Sequence, residues 1–221
     1  MSHKQITAVF DVDGTLISGN SLERLFFHFL WRYGEIHWRQ LAGLARGPLA
    51  ALTSGCRALG DNKYGWSGQD IERMRRLARD CFEQEIVRHL APAAIGRLRW
   101  HQQNGHEVIL LSGAPDLLLD PLAEFLGVRT WMGTRLEAAG PQLTGRIDGQ
   151  RLFAQAKLAQ FRRFSQQRQS AHVDYARSFA YGDHYEDRFL LAAVGNPVAV
   201  NPDRRLTRVA RQRGWMIEYF S

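Results

Sequence analysis

The chain has 221 residues, 45% hydrophobic and 23% charged, with a net charge of +7 and a pI of about 9.9. Those values suit one large globular domain, or a core with a small second domain, and exclude a low-complexity chain. A basic balance favours phosphate-bearing partners, but Lys occurs only at Lys4, Lys63 and Lys157 and the arginines form no long block, so no nucleic-acid partner is expected.

Cys56 and Cys81 are far apart and carry no Cys-x-x-Cys spacing, which argues for a reducing compartment and against a disulfide framework or a zinc site. Met1 to Gln5 leads straight into a strand with no signal peptide, so the expected location is cytoplasmic. The longest apolar-leaning region, Leu41 to Leu59, is interrupted by Arg46, Gly47-Pro48 and Arg57 and does not read as a membrane span.

In chain order, Ile6-Thr7-Ala8-Val9-Phe10 is an apolar run without alternation, as in a strand buried on both faces. It ends in Asp11-Val12-Asp13-Gly14-Thr15, two carboxylates and a Gly turn at the carboxyl end of the strand, where open α/β sheets bind ligands. Paired carboxylates serve as nucleophile or metal ligand and as general acid/base. The competing reading is a strand-end turn with an Asx cap.

A helical region follows. Ser21 starts a helix through Tyr33 with Gly34 as its stop. Residues 36–46 and 48–59 read as two short helices and 60–68 as a loop. Ser67 to Asp70 opens a long helix through about Leu90, with Ile71, Met74, Leu77, Ala78, Cys81, Phe82 and Ile86 on one face. Phe26, Phe27 and Phe29 cannot share one helix face, so part of this aromatic set must meet another surface, a substrate or solvent.

The α/β pattern then resumes. Pro92 to Asn104 is a helix with Gly105 as its stop, and Glu107 to Gly113 is a second buried strand, ending in Ser112-Gly113. A helix runs from Ala114-Pro115 to about Leu126, closed by Gly127. A hairpin pairs residues 135–137 with 143–147. Phe153 to about Gln167 is a helix carrying Lys157. Ser178 to Asp183 is a strand ending in Gly-Asp, Asp187 to Val194 is helical, and Pro197 to Asn201 is a strand. Arg204 to Arg213 is a helix and Trp215 to Phe220 a last strand. Strands alternating with helices imply a doubly wound, mostly parallel sheet. Parallel strands bring Asp11, Asp13, Ser112 and Asp183 to one sheet edge, where a helix-borne Lys157 can reach them.

Taken in order, these segments resemble the four motifs of the haloacid dehalogenase (HAD) superfamily. Asp11-Val12-Asp13-Gly14-Thr15 resembles the first, Leu110-Leu111-Ser112-Gly113 the second, Lys157 the third, and Gly182-Asp183-His184-Tyr185-Glu186-Asp187 the fourth. The resemblance implies a Rossmann-like HAD core over residues 1–17 and 91–221, with a helical C1-type cap over 18–90. The cap position, the hairpin and Val198-Ala199-Val200-Asn201-Pro202-Asp203 are similar to the phosphoserine phosphatase branch, subfamily IB. By the same resemblance Asp11 is the nucleophile and Asp13 the general acid/base. Ser112, Gly113 and Lys157 bind phosphate. Asp11, the Asp13 backbone carbonyl and Asp183 hold Mg²⁺, supported by Asp187. An acid at Asp13 implies phosphate ester hydrolysis, since family dehalogenases lack an acid there and the transport ATPases carry Thr.

Two positions depart from phosphoserine phosphatases. Asn20 stands where that branch places a Glu for the substrate amine, and Glu186 stands where it places an Asn. Asn20, Glu23 and Glu186 are therefore the candidate specificity residues, with Arg24, Arg46 and Arg57 as candidates for an acidic substituent. The expected activity is Mg²⁺-dependent hydrolysis of a small polar phosphomonoester, such as an amino-acid or amino-alcohol phosphate (phosphoserine or histidinol phosphate). The alternatives are a lipid-phosphate phosphatase at the membrane surface and a non-catalytic phosphate-binding protein.

Overall fold

The computed structural model describes residues 3–35, 66–167 and 171–220. The apolar run Ile6–Phe10 forms β2 (Thr7–Phe10), and the polar residues before it form a separate short strand, β1 (His3–Gln5). β2 is completely buried, and its residues alternate between two apolar layers. Ala8 and Phe10 join one layer with Leu110 and Tyr181; Val9 joins the other with Ile109, Leu111 and Ala180. That period of two is what a strand covered on both faces requires.

Helix α1 (Leu22–Arg32) follows, capped by the Ser21 side chain, which accepts from the Arg24 N–H. Leu22, Leu25, Phe26, Phe29 and Leu30 are its buried face, whereas Phe27 and Trp31, one turn apart, are 46% and 63% exposed. Helices expected within 36–46 and 48–59, and Cys56, Arg46 and Arg57, fall outside the described residues.

Helix α2 (Ile71–Gln84) is capped by Asp70, which accepts from the Arg73 N–H, and buries Met74, Ala78, Cys81 and Phe82. It stops at Gln84, short of the expected Leu90. A 3₁₀ turn (Ile86–His89) takes over because the chain must re-enter the core here. Leu90 bridges Ile17, the Ser18 N–H donates to the His89 carbonyl, and the Ala91 N–H donates to the Leu16 carbonyl. Both ends of the helical insertion are thus tied side by side behind the Asp11–Thr15 turn.

Helix α3 (Pro92–Gln103) leads to β3 (Glu107–Pro115), and α4 (Asp116–Leu126), closed by left-handed Gly127, leads to β4 (Thr130–Thr134). The hairpin β5 (Leu136–Ala139) and β6 (Gln142–Ile147) reaches to the root of α2, where the Ile71 N–H donates to the Pro141 carbonyl. Helix α5 (Gln155–Gln167), β7 (Ala171–Val173), β8 (Phe179–Gly182), a 3₁₀ turn (Tyr185–Asp187), α6 (Arg188–Leu191), β9 (Asn196–Val200), α7 (Arg204–Arg213) and β10 (Met216–Glu218) complete the described chain.

The main sheet has six parallel strands in the order β10-β9-β8-β2-β3-β4, and β1 pairs separately with β7. From β2 the chain builds outward through β3 to β4, then restarts on the other side at β8. The carboxyl end of β2 therefore lies at the switch of strand order, where doubly wound sheets leave a crevice. Beneath it, Phe10 stacks on Tyr181 with centroids 4.3 Å apart. The Tyr181 hydroxyl lies 2.7 Å from His101 Nε2, and His101 Nδ1 lies 2.8 Å from His106 Nδ1. Burial holds the His101 imidazole down at about 3, so that ring is neutral across ordinary pH. No helix among the described residues is long and apolar enough to cross a membrane.

Candidate active site

Strand register brings the candidate residues level. Phe10 stands opposite Leu110 on β3 and Tyr181 on β8, so two residues further on Val12, Ser112 and Asp183 line the same sheet edge. The Asp11 N–H completes the ladder by donating to the Tyr181 carbonyl at 2.9 Å. The chain then turns sharply. Leu16 and Ile17 both donate to the Val12 carbonyl, and Gly14, at φ +82°, donates to the Ile17 carbonyl. Only Gly fits this turn, because a Cβ at position 14 would lie 2.0 Å from Asp183 Oδ2.

Lys157, on the first turn of α5, is buried and points into the crevice. Its ammonium donates to Asp11 Oδ1 at 2.5 Å and to Asp187 Oδ1 at 2.7 Å. The other Asp187 oxygen accepts from the His184 N–H, so Asp187 both closes its own 3₁₀ turn and holds Lys157. Carboxylate oxygens of Asp11, Asp183 and Asp187 lie within 4.8 Å of one another.

One ammonium faces three crowded carboxylates, and the protonation energetics follow. Burial is the main cause that lifts Asp11 well above the ordinary carboxylate range; Lys157 opposes it, while Asp187, Asp183 and Asp13 add to it. Burial, then Asp187, pushes Asp183 up to about 7. For Lys157, burial favours the neutral amine, but Asp11 and Asp187 outweigh it and raise its pKa. A hard divalent cation with a preference for oxygen ligands suits this excess of negative charge.

Ser112 ends the fully buried part of β3, and its Oγ accepts the Ala114 N–H at 3.0 Å, which leaves the hydroxyl proton to donate elsewhere. Thr134, a buried residue that sequence reasoning missed, fixes the neighbouring loop. Its hydroxyl donates to the Gly113 carbonyl at 2.7 Å and accepts from the Leu152 N–H at 3.2 Å. Nothing in its local sequence signals this, because both partners come from other elements.

Asp13 stands beside the cluster, and its Oδ1 accepts the Leu22 N–H at 2.8 Å. The candidate specificity residues fall on two elements, the start of α1 and the 3₁₀ turn after β8. Asn20 Oδ1 accepts the Ser21 N–H just before α1, and Glu23 occupies the first turn of that helix. Asn20, Arg24, His28, Arg32, Glu85 and His89 line a cleft of about 230 Å³. The Glu186 carboxylate is engaged by Arg188 at 3.2 Å.

The crevice thus gathers Asp11, Lys157, Asp183 and Asp187 from three separate segments, with Asp13, Ser112 and Gly113 at its rim. Comparison with known proteins identifies the family. The family model for haloacid dehalogenase-like hydrolases matches residues 8–192. A histidinol-phosphatase from Neisseria meningitidis is 24% identical over 218 residues, covering 96% of this chain and 98% of that protein. Phosphoserine phosphatase SerB1 from Mycobacterium tuberculosis is 28% identical over 223 residues, covering 96% of this chain and 70% of that one. A structure of a phospho-aspartyl intermediate analogue of phosphoserine phosphatase superimposes with a TM-score of 0.63 at 18% identity, covering 98% of this chain and 93% of that one. The chain belongs to the haloacid dehalogenase-like hydrolase family and is a phosphatase of that family.

Proposed function

We propose that the protein is a Mg²⁺-dependent phosphomonoesterase that works through an aspartyl-phosphate on Asp11 and acts on a small polar metabolite, an amino-acid or amino-alcohol phosphate. The observation that carries this reading is the buried Asp11–Lys157–Asp187 ion-pair chain with Asp183 alongside. Asp11, Asp183 and the Asp13 backbone carbonyl would hold Mg²⁺, with Asp187 beside them, and the bound ion neutralises the dianion that otherwise repels a carboxylate nucleophile.

The remaining chemistry belongs to the chain. A Lys157 ammonium has three N–H donors; two are used on Asp11 and Asp187, and the third is directed to a phosphoryl oxygen. The Ser112 hydroxyl and the backbone N–H groups of Val12 and Gly113 orient the other oxygens. Asp11 attacks phosphorus in line, the ester P–O bond breaks, and Asp13 gives its proton to the leaving alkoxide. Asp13 then takes a proton from the water that attacks the aspartyl-phosphate, which releases inorganic phosphate and restores Asp11.

The insertion over 18–90, whose described parts include the helices Leu22–Arg32 and Ile71–Gln84, would serve as the cap that excludes water and selects the leaving group. The cationic residues of the Asn20–Arg24 cleft suit an ester that also bears a carboxylate. Names of relatives that act on histidinol phosphate and phosphoserine support the same substrate class. The test is Mg²⁺-dependent phosphate release across phosphoserine, histidinol phosphate, sugar phosphates, nucleotides and lysophosphatidate. Preference for an amine-bearing soluble ester is the expected result; no preference among soluble esters would overturn the substrate assignment.

A second reading, a lipid-phosphate substrate at a membrane surface, is favoured by exposed Phe27, Trp31 and Tyr33 on and just after α1. Flotation with anionic liposomes tests it, and protein left wholly in the unbound fraction rejects it.

A further inference from the structure

No step assigned above uses Asn201-Pro202-Asp203, the turn from β9 into α7, yet this turn holds the loop that carries Asp183. The Asp203 N–H donates to the Asp183 carbonyl at 3.0 Å. Its carboxylate divides its two oxygens between two tasks. Oδ1 accepts the Leu206 N–H at 2.7 Å and caps α7, while Oδ2 accepts the Tyr185 N–H at 2.9 Å and lies 3.5 Å from His184 Nε2. One residue is therefore bonded to, or stands beside, three consecutive residues of the candidate metal loop.

The turn itself is a fixed frame. Asn201 sits at φ +41°, and its side chain takes the Phe220 N–H and donates to the Phe220 carbonyl, both at 3.0 Å. Its backbone N–H donates to the Glu218 carbonyl. The Asp203 carbonyl accepts both the N–H and the hydroxyl of Thr207 at 2.8 Å. On the opposite side, the Asp183 carboxylate packs directly over Gly14.

Such a loop needs an external hold. Asp183 stands among like charges that push it away from Asp11 and Asp187, and Gly182 offers no side chain to pack against. Ligand geometry is then set by the backbone and by what the backbone is bonded to.

We propose that Asp203 is a positioning residue for Asp183: it joins the 183–185 loop to the rigid β9–α7 turn and keeps the Asp183 carboxylate over Gly14, in place to bind a divalent cation with Asp11. The proposal rests on the metal-dependent reading above. An aspartate that only caps α7 would need Oδ1 alone, and the two roles separate by substitution. Asp203→Ser keeps a hydroxyl for the cap but has no second acceptor for Tyr185. Asp203→Asn keeps Oδ1 and sets an amide donor against the Tyr185 N–H.

The experiment measures Mn²⁺ binding without substrate, by electron paramagnetic resonance, together with thermal melting in EDTA and Mn²⁺ activation of aryl phosphate hydrolysis. Both variants should bind Mn²⁺ about tenfold more weakly than the wild type. Saturating Mn²⁺ should return most of kcat. Wild-type Mn²⁺ affinity in Asp203→Ser and Asp203→Asn, whatever their melting temperatures, overturns the positioning role alone. Wild-type protein that binds no Mn²⁺, or Asp183→Asn that binds it unchanged, overturns the metal-dependent reading and the positioning role with it.

Discussion

Replacement of Lys157 by Met tests the electrostatics of the crevice most directly. Met keeps an apolar stem of similar length and removes the ammonium that donates to Asp11 at 2.5 Å and to Asp187 at 2.7 Å. Removing one partner of a buried pair typically costs about 3–5 kcal/mol, because the other charges stay buried without compensation. That cost is expected only while the carboxylates are ionised. Asp183 already titrates at about 7 in the folded protein, against 3.8 ordinarily, and Lys157 lowers the pKa of both Asp183 and Asp11. Without Lys157 both rise further. A carboxyl raised on folding contributes stability that is present below its ordinary pKa and lost as pH climbs through its folded pKa. The Lys157 ammonium, raised above its ordinary 10.5, stays charged throughout that range. Urea unfolding in EDTA should therefore show Lys157→Met less stable than the wild type by about 3–5 kcal/mol near pH 8. Near pH 4.5, with Asp11 and Asp183 largely protonated, the deficit should shrink. A deficit of the same size at both pH values would refute the electrostatic account and assign Lys157 a packing role.

Asp11→Asn should lower kcat by about a thousandfold or more while the protein still melts cooperatively in EDTA; wild-type turnover would end the nucleophile assignment. Asp13→Asn should slow alkyl phosphates far more than activated aryl phosphates, whose leaving groups need no proton, and equal losses on the two would argue against a leaving-group acid. Gly14→Ala forces a Cβ into a left-handed turn at a cost of about 1–2 kcal/mol and against the Asp183 carboxylate, 2.0 Å away. It should lower urea stability and weaken Mg²⁺ binding together, as read by calorimetry; unchanged Mg²⁺ affinity would mean that Asp183 is not held over that turn.

Most helix boundaries were readable because local chemistry specifies them. Ser21 and Asp70 cap their helices as expected, Gly127 and Gly214 end theirs in the left-handed conformation, and α7 spans Arg204–Arg213 as its pattern predicts. Two strand ends were readable for a related reason, since β2 and β8 are apolar runs that stop just before Asp11 and Asp183, whereas β3 runs past Ser112 to Pro115, beyond the expected Gly113. What escaped depends on distant pairing. β1 and β7 are three polar-leaning residues each, and their pairing joins His3 to Ala171. β4, Thr-Trp-Met-Gly-Thr, is an edge strand whose mixed composition carries no clear period. α2 ends early because Leu90 must meet Ile17. In the site, Thr134 went unseen and Asp203 was legible only as part of a family-like segment, since their partners Gly113, Leu152 and Tyr185 become neighbours only in the fold.

The bond from the Leu22 N–H to the Asp13 carboxylate has a mechanical consequence. Leu22 is the first residue of α1, so one end of the helical insertion rests on the candidate proton donor itself. The electropositive start of that helix faces the Asp13 carboxylate. A displacement of α1 away from the sheet would break that bond and remove one of the points that fix the Asp13 carboxylate. The helix that opens the insertion is thus also a positional constraint on the Asp13 side chain.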